Sequence, residues 1–150
     1  MKIYLFGLFF FTLNIAIYAQ DLNKFIKSDT IYIFFKVSKD QHHHNTKIKE
    51  KNITKERDEY MFNYGNYHLF TFLPSNSISP EEKKVKKSFI KRNKDMIVNY
   101  DFLKTYDYKV ATEILNKKKK VYLIDYDDIG LFSIKLKEVE VYGYRYPTYE

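Results

Sequence analysis

Aromatic and branched apolar residues alternate with polar ones in several stretches of this chain, and that two-residue rhythm confines it to a sheet. In Ile31 to Val37, residues Ile31, Ile33, Phe35 and Val37 fall on one face and Tyr32, Phe34 and Lys36 on the other. Aromatics on both faces predict a central strand or one covered by a helix. Between Glu59 and Leu73 two apolar runs flank Gly65-Asn66, a two-residue hairpin turn. That turn sets Tyr64 opposite Tyr67, Phe62 opposite Leu69 and Tyr60 opposite Thr71 on the face expected to meet the core. Val121 to Tyr126 and Leu131 to Tyr142 predict a second hairpin around Asp127-Asp128-Ile129-Gly130. In its last strand Phe132, Ile134 and Leu136 share a face, while Val139 and Val141 fall out of step. A bulge near Lys137-Glu138 would realign them.

Other segments carry different patterns. Ser38 to Thr46, with His42, His43 and His44, reads as a polar loop, and Lys47 to Thr54 as a Lys-rich edge strand. Ser88 to Val98 fits either a short helix or two short strands. Asp101 to Asn116 has the helical spacing, with Phe102, Leu103, Tyr106, Val110, Ile114 and Leu115 in one stripe. Asp107 is also a good cap for a second helix, which would bend the segment there. Together these elements predict an α+β domain. Its sheet is expected to be mostly antiparallel, of about five or six strands, with one or two helices on one face.

The chain begins like an export signal. Lys2 supplies a charge, the run from Ile3 to Tyr18 is almost wholly apolar, and Ala19 precedes polar sequence. Cleavage after Ala19 divides the chain into a signal, 1–19, and a single domain, 20–150. The apolar run has 16 residues, short of the ~20 a spanning helix needs. No stable membrane span is therefore expected after cleavage. The predicted address is the periplasm or the exterior. There is no Cys, so the exported domain must rely on its apolar core, which the 13 Tyr and 9 Phe of residues 20–150 supply.

The net charge of +7 is carried largely by lysine, which outnumbers arginine 23 to 3. One cluster is Lys83, Lys84, Lys86, Lys87, Lys91, Arg92 and Lys94, and a second is Lys117 to Lys120. Export and the scarcity of Arg argue against nucleic acid as a partner. A solvated surface, or contact with an anionic envelope, fits better. The second cluster also suits the negative end of the helix that precedes it.

Candidate sites are sparse. Adjacent histidines on an extended chain point to opposite faces, so His42, His43 and His44 do not predict a metal centre. Asp125-x-Asp127-x-Ile129-Gly130 starts like a calcium loop, but Ile129 and Leu136 stand where oxygen ligands are required. No cofactor is implied. With no Cys, no G-x-S-x-G elbow and four glycines without a phosphate-binding pattern, no catalytic residues are assigned. Tyr142, Tyr144 and Tyr146 would share one face of an extended tail and are candidate binding residues, with Lys83, Lys84, Lys86, Lys87, Lys91 and Arg92. The expected function is a small exported non-enzymatic domain that binds a protein or an envelope component. The alternatives are a hydrolase using Asp125, Asp127 and Asp128, and a basic module adhering to an anionic surface.

Overall fold

The computed structural model describes residues 22–50, 53–64, 68–75 and 82–145. In chain order the elements are α1 (Leu22–Lys27), β1 (Thr30–Phe35), β2 (Gln41–Glu50), β3 (Ile53–Tyr64), β4 (His68–Pro74), β5 (Glu82–Lys86), α2 (Ser88–Arg92), β6 (Ile97–Val98), α3 (Tyr100–Lys104), α4 (Tyr108–Asn116), β7 (Lys120–Asp125) and β8 (Ser133–Arg145). The class is α+β, but the sheet has eight strands rather than five or six. Seven run in the order β2-β3-β4-β8-β7-β1-β6, and β5 pairs with β8. β1 is parallel to its neighbours β6 and β7, and the other pairs are antiparallel. Among the described residues no helix is long and apolar enough to cross a membrane. The apolar run 3–18 lies outside them.

Apart from β6, the buried pair Ile97–Val98, the strands that the pattern missed or cut short are polar. The segment read as a loop, 38–46, lies mostly in β2, which pairs along its whole length with β3. Backbone hydrogen bonding on an edge needs no apolar side-chain rhythm, so the pattern hid it. β5 is hidden in the same way by its lysines, with only Val85 half-buried.

The first hairpin is correct in place and off by one in register. Tyr60 faces Phe72, Phe62 faces Phe70 and Tyr64 faces His68, which implies a three-residue connection, 65–67, itself outside the described residues. A shift of one residue turns a strand over. The two-residue turn would have placed Thr71 and Leu69 over the core. The observed register instead stacks the fully buried Phe70 and Phe72 beside Phe62, with the Phe62 and Phe72 rings 4.8 Å apart. Aromatic burial therefore overrides the preference of the Gly-Asn turn.

No bulge realigns β8. Its pairing with β7 is continuous through Leu123–Lys137, Tyr122–Glu138 and Val121–Val139. Both faces of the sheet are covered, so both phases of the apolar pattern are used. Ile134 and Leu136 join Ile97, Ile124, Phe89 and Ile90 on the face carrying α2. Val139 and Val141 join Phe25, Ile31, Ile33, Phe35, Leu103 and Leu115 on the face carrying α1, α3 and α4. The sheet curls around this second core. Phe35 of β1 meets Tyr60 and Phe62 of β3 at 5.0 and 5.4 Å, although three strands separate them in the sheet order.

The helical segment divides as Asp107 allows. The Asn99 side chain accepts from the Phe102 N–H to start α3, and Asp107 accepts from the Val110 N–H to start α4. The break shifts the phase of the stripe, so Ala111 is buried and Val110 is exposed. The Tyr64 hydroxyl pins the joint to β3 by donating to the Leu103 carbonyl at 2.6 Å and to that of Tyr106. Tyr64→Phe is expected to cost about 1 kcal/mol, measured by urea unfolding, because the ring packing survives and the hydrogen bonds do not.

Candidate functional site

Three places merit a functional reading: the carboxylates near Asp125, the lysine clusters, and the end of the sheet where β1 and β7 finish. Asp125, Asp128 and the lysines 118–120 have partners within the fold, whereas the end of the sheet carries exposed apolar side chains.

Asp125 ends β7 on the face of Val121 and Leu123, and the 3-10 turn Tyr126–Asp128 follows it. The Asp125 side chain caps that turn by accepting from the Asp127 N–H at 3.2 Å. The turn carries Asp128 back to Lys137 of β8, whose side chain is only 9% exposed. Lys137 Nζ lies 2.7 Å from Asp128 Oδ2, 3.8 Å from Asp125 Oδ2 and 2.5 Å from the Tyr60 hydroxyl. Tyr60 is itself fully buried, with the His43 ring stacked on it at 4.6 Å, and His43 reaches Asp58 at 3.0 Å.

The Lys137 ammonium is ion-paired with Asp128 at close range, although Asp128 Oδ2 is buried and makes no aligned hydrogen bond. Burial alone would lower the Lys137 pKa, but the Asp128 carboxylate and Tyr60 hydroxyl together hold it above the ordinary lysine value. Such an ammonium is neither a base nor a nucleophile at neutral pH. Burial raises the Asp125 pKa, partly offset by the Asp127 N–H and by Lys137. Asp127 is exposed and makes no contact with Lys137. The three carboxylates of the hydrolase alternative are therefore split: two close an ion-paired lock and one faces water.

Burial also holds the Tyr60 and Tyr100 hydroxyls up at about 12. The raised values of Tyr60 and Lys137 act in the same direction. Each contributes stability that is complete below its unfolded pKa, near 10, and is lost as pH rises through the folded value. A spectrophotometric titration should show these two tyrosines ionising near pH 12, together with loss of structure.

The lysine runs are divided by the fold. Lys83, Lys84, Lys86, Lys87, Lys91 and Arg92 are all exposed. However, β5 sends Lys83 and Val85 to one face, opposite Leu136 and Ile134, and Lys84 and Lys86 to the other. Lys91 and Arg92 occupy the last turn of α2. In the run 117–120, Lys117 is the C-cap of α4 through its backbone N–H, and the other three side chains have partners elsewhere. Lys118 Nζ donates to the carbonyls of Phe25, Ile26 and Ser28 at 2.6, 3.0 and 2.7 Å, closing the end of α1. Lys119 meets Asp29 at 2.7 Å, and Lys120 meets Glu138 at 3.4 Å.

The tyrosine tail and the histidines are also placed. The Tyr142 hydroxyl donates to Glu140 at 2.5 Å. Tyr144 pairs with Leu69 through its backbone, and Tyr146 lies outside the described residues, so the three-ring platform is not assembled among them. On β2, His43 shares a face with Tyr60, while His42 contacts Asn63 on the other face at 3.1 Å. No metal-binding group of three or more His, Cys, Asp or Glu occurs among the described residues.

One shallow groove, of about 540 Å³, lies over α4 and is lined by His68, Asp107, Tyr108, Lys109, Thr112 and Glu113. The Tyr108 ring forms its wall, 4.2 Å from His68 and 5.0 Å from Phe70. It fits because Gly143 has no side chain: a Cβ there would lie 2.5 Å from the Tyr108 hydroxyl. Gly143→Val is expected to displace Tyr108 and cost about 1–3 kcal/mol, seen as a lowered melting midpoint and altered near-ultraviolet dichroism.

The end of the sheet differs from the rest of the surface. Seven large hydrophobics are exposed among the described residues, and four of them, Val37, Tyr126, Leu131 and Phe132, sit here. Val37 follows β1, Tyr126 follows β7, and Leu131 and Phe132 precede β8. Lys36 lies over the Tyr126 ring at 4.8 Å. The Lys87 N–H donates to the Phe132 carbonyl at 3.0 Å, and Lys86 pairs with Ser133, so the end of the basic strand adjoins the apolar tip. No pattern in the sequence separated Leu131 and Phe132 from the strand that follows; only their position before the first paired residue of β8 does.

In comparisons with known proteins, the chain matches no family model, no curated protein and no solved structure.

Proposed function

We propose that this chain is an exported, non-enzymatic binding domain that makes contact with a protein or envelope component through the end of the sheet bearing Val37, Tyr126, Leu131 and Phe132. The observation that carries this reading is the grouping of these exposed apolar side chains beside Lys36, Lys86 and Lys87. Contiguous apolar exposure rimmed by polar residues marks contact surfaces. Export is supported by the sequence of residues 1–19. Two of the three carboxylates that would serve a hydrolase, Asp125 and Asp128, are engaged by Lys137, and Asp125 also by a backbone N–H, which favours binding over turnover.

The test is expression of the tagged chain followed by fractionation and intact-mass measurement. The expected product is found outside the cytosol with its N-terminus at Gln20. A processed chain retained in the cytosol would sink the reading, as would a hydrolytic turnover abolished by Asp127→Asn.

A further inference from the structure

Leu131 and Phe132 are 83% and 85% exposed. They occupy the tip of a turn closed by the Gly130 N–H donating to the Ser133 carbonyl at 2.9 Å. The Lys87 N–H fixes the Phe132 carbonyl from the other side. The tip is thus pinned at its base and held away from either core. Turn tips favour Gly, Asn, Asp and Ser. Two large apolar side chains there gain nothing from folding and much from leaving water in some other way.

Resting on the reading that this end makes contact, we propose that Leu131 and Phe132 insert into the interfacial layer of an anionic phospholipid bilayer, with Lys36, Lys86 and Lys87 at the headgroups. Three observations favour lipid over a protein surface. The cations at the tip are lysines, which protein interfaces deplete and membrane interfaces accept through their flexible stems. Tyr126 is half-exposed beneath Lys36, an amphipathic ring and cation pair suited to the water–lipid boundary. The apolar area is a few side chains, enough for reversible interfacial attachment in combination with charge. Asp40 and Asp127 lie in the neighbouring turns and oppose this attraction, but the lysines outnumber them, and Asp125 and Asp128 are turned inward to Lys137.

The chain contains no Trp, so Phe132→Trp in the full chain supplies a single reporter at the tip. With vesicles of phosphatidylglycerol and phosphatidylethanolamine, its emission should shift to the blue and become protected from iodide. Phosphatidylcholine vesicles should leave it unchanged. On the reporter background, Lys86→Gln with Lys87→Gln should weaken partitioning by roughly thirtyfold. In flotation of chains without the reporter, Leu131→Ser with Phe132→Ser should weaken the tip's contribution by about a hundredfold. Circular dichroism checks that each variant is folded. An indole that stays in water while the chain floats with vesicles would overturn the inference, because attachment would then come from another segment. Equal response to neutral and anionic vesicles would also overturn it. If the tip variants leave vesicle binding unchanged but abolish capture of a specific envelope protein, the lipid inference fails while the binding reading stands.

Discussion

Lys137→Met is expected to lower the folding free energy by about 3 kcal/mol, measured by urea unfolding at pH 7. Breaking a buried pair commonly costs about 3–5 kcal/mol, since the partner charge is left without compensation. The low end applies because the Asp128 side chain keeps 25% exposure and can be partly rehydrated. Two companion variants make the mechanism specific. Asp128→Asn on the Lys137→Met background should recover much of the loss, because the stranded carboxylate is gone. Asp125→Asn alone should change stability little or raise it. Burial holds the Asp125 pKa above its ordinary value, so its ionisation works against folding as pH rises through that raised value, and Asn keeps the acceptor for the Asp127 N–H. If Asp125→Asn cost as much as Asp128→Asn, the two carboxylates would share the ammonium equally, contrary to the distances of 3.8 and 2.7 Å.

Lys118→Met should release α1. The three ammonium protons of Lys118 serve three carbonyls at the end of that helix, which a Met thioether cannot replace. Charged hydrogen bonds are worth about 1.5–3 kcal/mol, and a loss of about 2 kcal/mol is expected. The effect should be local first. Amide exchange at Phe25 to Lys27 should quicken roughly thirtyfold while the central strands stay protected. Lys118→Arg should recover only part of this, because a planar guanidinium fork cannot converge on three carbonyls as a compact ammonium does. Uniform exchange across the sheet in Lys118→Met would contradict a local clamp.

The sequence makes the aromatic strands and the helical break legible because their side chains report their surroundings directly. β1 shows its two covered faces as Ile31, Ile33 and Phe35 against Tyr32 and Phe34. Asp107 announces its own cap. What stays hidden depends on partners distant in the chain. β2 is held by backbone pairing that its histidines and lysines do not signal. The phase change in β8 looks like a bulge until a second covered face explains it. The lysines show the same limit. Lys117 to Lys120 read as one cationic run, yet Lys118 and Lys119 are committed to α1 and Asp29, about ninety residues away in the chain. Nothing beside Lys137 in the sequence signals its burial, and its contact with Tyr60, 77 residues distant, marks its position as the inside of the curl. The exposed tip is hidden for the opposite reason: Leu131 and Phe132 look like the start of a core strand, and the sequence carries no sign that β8 begins one residue too late to bury them.

The claim that this end of the sheet is the working surface is tested most directly by co-sedimentation of the chain with a cell-envelope fraction. Wild type, Leu131→Ser with Phe132→Ser, and Ile26→Ser are compared, the last removing a half-exposed apolar side chain outside this end. The predicted result is loss of envelope association in the tip variant alone, with its melting temperature unchanged. Equal association of all three chains, or equal loss in the tip and Ile26 variants, would contradict the account.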